Sequence, residues 1–137
     1  MKTAVIYWSG TGNTEAMAKA VAEGAEAELF AVSDFSGSTA DYDAFAFGCP
    51  AMGAENLEEG EFEPFFSGIE GSLSGKRVAL FGSYGWGDGE WMREWAERVK
   101  KDGAVLVNDE GLIVNEAPDD AALADCKKLG EQLKSGQ

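Results

Sequence analysis

Six consecutive residues, Ser9-Gly10-Thr11-Gly12-Asn13-Thr14, combine two glycines with four short polar side chains. The glycines let the backbone turn tightly enough for successive N–H groups to converge on one anion. Ser9, Thr11 and Thr14 add hydroxyls and Asn13 an amide, and a helix starting here would contribute its positive end. A Walker loop would need Lys-Ser/Thr after the second glycine, and a dinucleotide loop would need a third glycine; neither is present. With no lysine or arginine, the loop suits a terminal phosphate held by neutral donors rather than a triphosphate with magnesium. A hydroxyl-rich helix cap without a ligand is the alternative, and four polar side chains in six positions weigh against it.

Two further stretches resist a purely structural reading. Cys49-Pro50-Ala51-Met52-Gly53-Ala54-Glu55 and Ser83-Tyr84-Gly85-Trp86-Gly87-Asp88-Gly89-Glu90 each follow an apolar run, and each sets a large apolar residue beside glycine. A thioether and an indole both pack well on π surfaces, so Met52 and Trp86 are suited to covering the two faces of a flat aromatic ring. Taken alone, Met52 fits a core position better than a ligand contact, and Trp86 on a glycine-rich loop fits either. Beside a phosphate loop, the stacked ring is the better reading of the pair.

The elements that must position these loops follow from periodicity. Thr3 to Trp8, Phe45 to Cys49 and Val78 to Gly82 are continuously apolar, as interior parallel strands are. Ala27 to Val32 alternates and reads as a strand nearer the edge. Met17, Ala20, Val21 and Gly24 lie on one helical face, and Trp91, Trp95 and Val99 on another. A helix is expected through Phe65, Phe66 and Ile69. A terminal one begins at Pro118-Asp119, with Leu123, Cys126, Leu129 and Leu133 facing inward. Val105 to Val107 and Leu112 to Val114 read as one last strand interrupted at Asn108 to Gly111. This alternation predicts a doubly wound, five-stranded parallel sheet with helices on both faces, as a single domain over residues 1–137. In such sheets ligands bind beyond the carboxyl ends of the strands, where strand order reverses. The three loops above all occupy such positions.

Composition removes several classes. The chain has no histidine, which excludes His-bearing zinc sites and Ser-His or Cys-His catalysis. Acidic residues outnumber basic ones 25 to 11, for a formal net charge of −14. That charge opposes nucleic acid and anionic membranes and favours partners with a basic patch. No apolar run approaches the ~20 residues of a membrane span, and Met1-Lys2 runs straight into a strand with no signal-peptide pattern. Cys49 and Cys126 read as buried free thiols. A soluble, monomeric, cytoplasmic protein is expected. A phosphoacceptor receiver domain is disfavoured by Trp8-Ser9 and Cys49-Pro50, where acidic residues would be needed. A tyrosine-phosphatase loop lacks its arginine.

Tyr7 to Glu15, Gly48 to Gly53 and Phe81 to Gly87, in this order and spacing, closely resemble the short-chain clostridial type of flavodoxin across essentially the full length. The resemblance implies strand order 2-1-3-4-5 and noncovalent FMN at the switch point. It further implies a low-potential one-electron carrier shuttling electrons between redox proteins, mainly through the semiquinone/hydroquinone couple, and not a substrate-converting enzyme. Ser9 to Thr14 would hold the phosphate with help from Ser83. Trp86 would stack on the outer face of the ring, and Met52, following Pro50-Ala51, on the inner face. Backbone amides after Tyr84, at Gly85, Trp86 and Gly87, would meet the pyrimidine edge. Glu55 would accept the ring's N3–H, and Ala54 would give no side-chain bond. Gly53 would let the Met52–Gly53 peptide turn its carbonyl to a reduced ring, where a residue with Cβ would cost about 1 kcal/mol. Carboxylates at Glu55, Asp88 and Glu90 would push the second potential down. The acidic stretch from Glu55 to Glu63 reads equally as a docking surface for a basic redox partner and as a solvated entry to a helix. An FMN-dependent NAD(P)H oxidoreductase on the same fold is the alternative, though a tryptophan over the ring leaves little room for substrate.

Overall fold

A computed structural model of the chain describes residues 2–52, 56–85, 87–108 and 111–135. The strands are β1 (Thr3–Tyr7), β2 (Glu28–Ala31), β3 (Ala44–Gly48), β4 (Arg77–Tyr84), β5 (Val105–Leu106) and β6 (Leu112–Asn115). The helices are α1 (Asn13–Ala25), α2 (Phe62–Ile69), α3 (Glu90–Lys101) and α4 (Asp120–Ser135). All strand pairs are parallel, in the order β2-β1-β3-β4-β5, with β6 also paired to β4. The doubly wound order expected from the sequence is therefore the one observed.

β3 is fully buried and the inward residues of β1 and β4 are buried with it, because both faces of these interior strands are covered. β2 has exposed residues at Glu28 and Leu29, as befits the edge. Alternate strand residues divide into two cores. Ala4, Ile6, Phe45, Phe47, Val78 and Leu80 join the inward faces of α2 and α3. Val5, Ala44, Ala46, Ala79 and Phe81 join those of α1 and α4. The pleat alone dictates this division, since successive side chains point to opposite faces.

The last strand is interrupted where the sequence suggested. β5 pairs with Arg77 and Val78, and β6 with Phe81 to Tyr84, which leaves Ala79 and Leu80 opposite the gap. Asn108 fills it: its Nδ2 donates to Leu80 O at 2.8 Å, and its Oδ1 accepts from Leu80 N at 3.3 Å. A side-chain amide thus stands in for a strand peptide, so the buried backbone of β4 keeps its partners. Both cysteines are free and buried. Among the described residues no helix is long and apolar enough to cross a membrane.

Candidate functional site

The loops after β1, β3 and β4 meet at the carboxyl edge of the sheet, where the chain crosses from β2 past β1 to β3. They enclose a cavity of about 370 Å³. Gly10, Thr11 and Asn13 line one end, Pro50, Ala51 and Met52 one wall, and Ser83, Tyr84 and Gly85 the other. Among the described residues no lysine or arginine contributes to this lining, so an anion held here is held by neutral donors. A larger groove of about 580 Å³ runs along α3, but charged side chains alone line it, and of the three loops only the last residue of the third, Glu90, reaches it.

Gly12 caps α1 with φ of 94°, a conformation open to glycine and costly for other residues. Ser9 Oγ accepts from the N–H of Gly12 at 3.1 Å and of Glu15 at 3.2 Å. Thr11 Oγ1 accepts from Asn13 N at 3.4 Å. Two of the hydroxyls read as ligand donors therefore also fold the loop. The N–H groups of Gly10, Thr11 and Thr14 have no acceptor among the described residues. They are free donors at the start of a helix, next to the cavity, as an anion requires. Thr14 is almost fully buried: its Oγ1 lies 3.0 Å from Ser83 Oγ and accepts from Ser83 N at 3.3 Å. This buried pair ties the β1 loop to the end of β4, and Ser83 reaches the cavity wall from it.

Of the residues expected to form the site, Gly10, Thr11, Asn13, Pro50, Ala51, Met52, Ser83, Tyr84 and Gly85 are brought together around the cavity. Ser9, Gly12 and Thr14 sit behind it and shape the loop. Gly87 follows at φ of 90° and does not line the cavity. Gly53, Ala54, Glu55 and Trp86 lie outside the described residues.

Two lining residues were not foreseen. Trp8 reads in the sequence as the end of a strand, yet its ring forms part of the wall and lies against Gly10, where a Cβ would come within 3.1 Å of it. Its indole Nε1 donates to Glu61 Oε1 at 3.2 Å. Glu116 follows β6 with φ of 59°, and its N–H donates to Tyr84 O at 2.7 Å. No periodicity marks such a residue; its one sequence signal is its place just past the last strand.

The arrangement suits FMN. Free N–H groups at a helix start match a terminal phosphate, and an apolar slot bounded by Pro50, Ala51, Met52 and Tyr84 matches a flat ring. Comparison with known proteins agrees. A family model described as Flavodoxin matches residues 5–130. The chain is 48% identical over 133 residues to a flavodoxin of Megasphaera elsdenii, covering 93% of this chain and 94% of that one. It is 47% identical over 135 residues to one of Clostridium beijerinckii, covering 94% and 96%. The solution structure of two-electron reduced Megasphaera elsdenii flavodoxin superposes with a TM-score of 0.84 at 44% identity, covering 97% and 98% of the two chains. These relatives favour the electron carrier over the oxidoreductase alternative.

Proposed function

This chain belongs to the flavodoxin family, and on that premise we propose which of its residues hold the flavin and what they do to it. It is an electron-transfer protein that uses FMN and transforms no substrate of its own. FMN supplies a ring that takes and releases electrons one at a time. The observation that carries the assignment is the single cavity joining a cation-free anion loop to an apolar slot.

The N–H groups of Gly10, Thr11 and Thr14, with the side chains of Thr11 and Asn13, bind the phosphate. Ser9 and Gly12 hold the loop in the shape that aims them, and Ser83 assists from the opposite wall. Pro50, Ala51 and Met52 form the inner wall, and Tyr84 and Gly85 the outer one, with Trp86 over the ring and the Gly87 amide toward its edge. Glu55 accepts the ring's N3–H, and Ala54 contributes backbone alone. Gly53 would leave the preceding peptide free to turn its carbonyl toward the ring as a hydrogen-bond acceptor. A wall without cations leaves added negative charge uncompensated, which lowers the potential of the second electron. That lower couple is the working one.

The partners are redox proteins. Those carrying a basic patch suit a net charge of −14 and the acidic stretch ending at Glu63. Two buried free thiols support a reducing, cytoplasmic setting, and one sheet with both faces covered supports a single monomeric domain. The purified protein is expected to be yellow and to release FMN on denaturation. Riboflavin, which lacks the phosphate, is expected to bind the flavin-free chain roughly a hundredfold more weakly. A colourless protein that FMN does not reconstitute overturns the reading.

A further inference from the structure

The segment from Cys49 to Phe62 leaves the end of β3, presents Pro50 to Met52 to the cavity and enters α2. Its residues Glu59, Gly60 and Glu61 are exposed. What closes it is one residue. The backbone N–H of Glu58 donates to Cys49 Sγ at 3.3 Å. The carboxylate of the same residue accepts three N–H groups at the start of α2: Gly60 at 2.7 Å on Oε2, and Glu61 at 2.7 Å and Phe62 at 2.8 Å on Oε1. Above this neck, Met52 N donates to Asn56 O at 3.1 Å. Below it, Leu57 is 5% exposed and plugs into the core beneath the loop.

This is not the usual capping pattern, in which a short Ser, Asp or Asn side chain serves one or two amides from the cap position. Glu58 stands three residues ahead of Glu61, the cap, and serves three amides while its main chain grips β3. Burial pushes the Cys49 thiol up to about 12, so the sulfur is a neutral acceptor for that grip. Burial alone would raise the Glu58 carboxyl, but the N–H groups of Phe62, Glu61 and Gly60 together hold it below the usual carboxylate value. The charged, bonded form is thus the one the neck favours. The clamp also reaches the phosphate end, since Glu61 accepts from the Trp8 indole that lies on Gly10.

We propose that Glu58 is a positioning residue for the flavin: by locking the end of β3 to the start of α2 it closes the neck of the loop and fixes how Met52 meets the ring. The proposal rests on the reading that the cavity holds FMN. Glu58 itself does not line that cavity. Its effect on the ring passes through Pro50, Ala51 and Met52, which leave the clamped end of β3 and line the cavity.

The test uses the full-length chain with Glu58→Ala, Glu58→Gln and Cys49→Ala. It measures FMN affinity by fluorescence titration of the flavin-free protein, both one-electron midpoint potentials of the loaded protein, and urea unfolding of the flavin-free protein. Glu58→Ala is expected to weaken FMN about tenfold, as the loss of one charged acceptor shared by three amides implies, and to change the separation of the two potentials. Glu58→Gln keeps an amide oxygen for Glu61 and Phe62 and is expected to recover part of both effects. Cys49→Ala is expected to move both quantities in the same direction by less. If Glu58→Ala does not fold, Glu58→Gln and Cys49→Ala are read against wild type in its place. Reduced unfolding stability with FMN affinity and potential separation as in wild type makes Glu58 a helix cap only and overturns the proposal. Failure of the wild-type chain to bind FMN overturns the parent reading instead.

Discussion

The two sides of the sheet share every strand yet are packed in opposite ways. Toward α2 and α3 the interior is aromatic. Trp95 meets Phe62 and Phe66 edge to face, at 5.5 and 5.8 Å between ring centroids, and Phe66 meets Phe47 the same way at 5.3 Å. Toward α1 and α4 it is built from small residues, with Ala44, Ala46 and Ala79 on the sheet and Ala18 and Ala22 on α1. The helices there approach so closely that a Cβ on Gly24 would lie 2.0 Å from Lys127 O, and one on Gly130 would lie 2.1 Å from Val21 O. One side is held by ring area and the other by backbone proximity. Each serves its part of the site: the β3 and β4 loops that wall the cavity run into α2 and α3, while the β1 loop runs into α1.

If ring area holds the first side, removing it should be the most damaging change. Trp95→Ala is expected to lower the free energy of urea unfolding by about 4 kcal/mol. A loss under ~1 kcal/mol would mean that the aromatic layer can collapse around the gap.

The contrast in packing also predicts opposite signs for one and the same substitution. Gly130→Ala forces its methyl into the backbone of α1, and even after the gain in helix propensity it should cost about 2 kcal/mol. Gly68→Ala on α2 meets nothing within 4 Å, so it should stabilise by roughly 0.5 kcal/mol. Equal effects at the two positions in thermal or urea unfolding would erase the distinction between the sides.

The smallest expected effect concerns the charged border of the aromatic side. Arg98 lies over the Phe66 ring and bonds Glu63 at 2.7 and 2.8 Å and Glu70 at 2.6 and 2.9 Å. Asp102, on the turn after α3, is pushed up to about 6, first by burial and then by the Glu70 carboxylate beside it. Its folded value exceeds its unfolded one, so the folded chain binds the extra proton and stability falls as pH rises through about 6. Asp102→Asn, which cannot ionise, should therefore gain on wild type between pH 5 and pH 8. A stability difference that does not change over that range would place no proton at this border.

Much of this was legible in the chain. Phe45 to Cys49 and Val78 to Gly82 announced interior strands because a strand covered on both faces cannot afford polar residues. Trp91, Trp95 and Val99 announced α3 because their spacing forms one helical face. The gap at Asn108 to Gly111 was visible as a break in apolar residues, whereas the repair of that gap by the Asn108 amide depends on Leu80, 28 residues away. Glu58 read as one more member of an acidic stretch. Its role depends on Cys49 and on three amides that converge on it only once β3 and α2 are placed.

The sequence by itself determined the order of the elements, the three loops and the kind of ligand they suit. These are local properties, set by side-chain periodicity, by glycine and by the absence of cations and histidine. The tertiary structure decided which atoms of those loops are free to bind. Ser9 Oγ proved to be occupied by two backbone amides, Thr14 to be buried against Ser83, and Trp8 and Glu116 to belong to the wall. A hydroxyl or an indole is chemically able to bond in either direction. Which partner it takes is settled by distances between segments far apart in sequence, and those exist only when the sheet has formed.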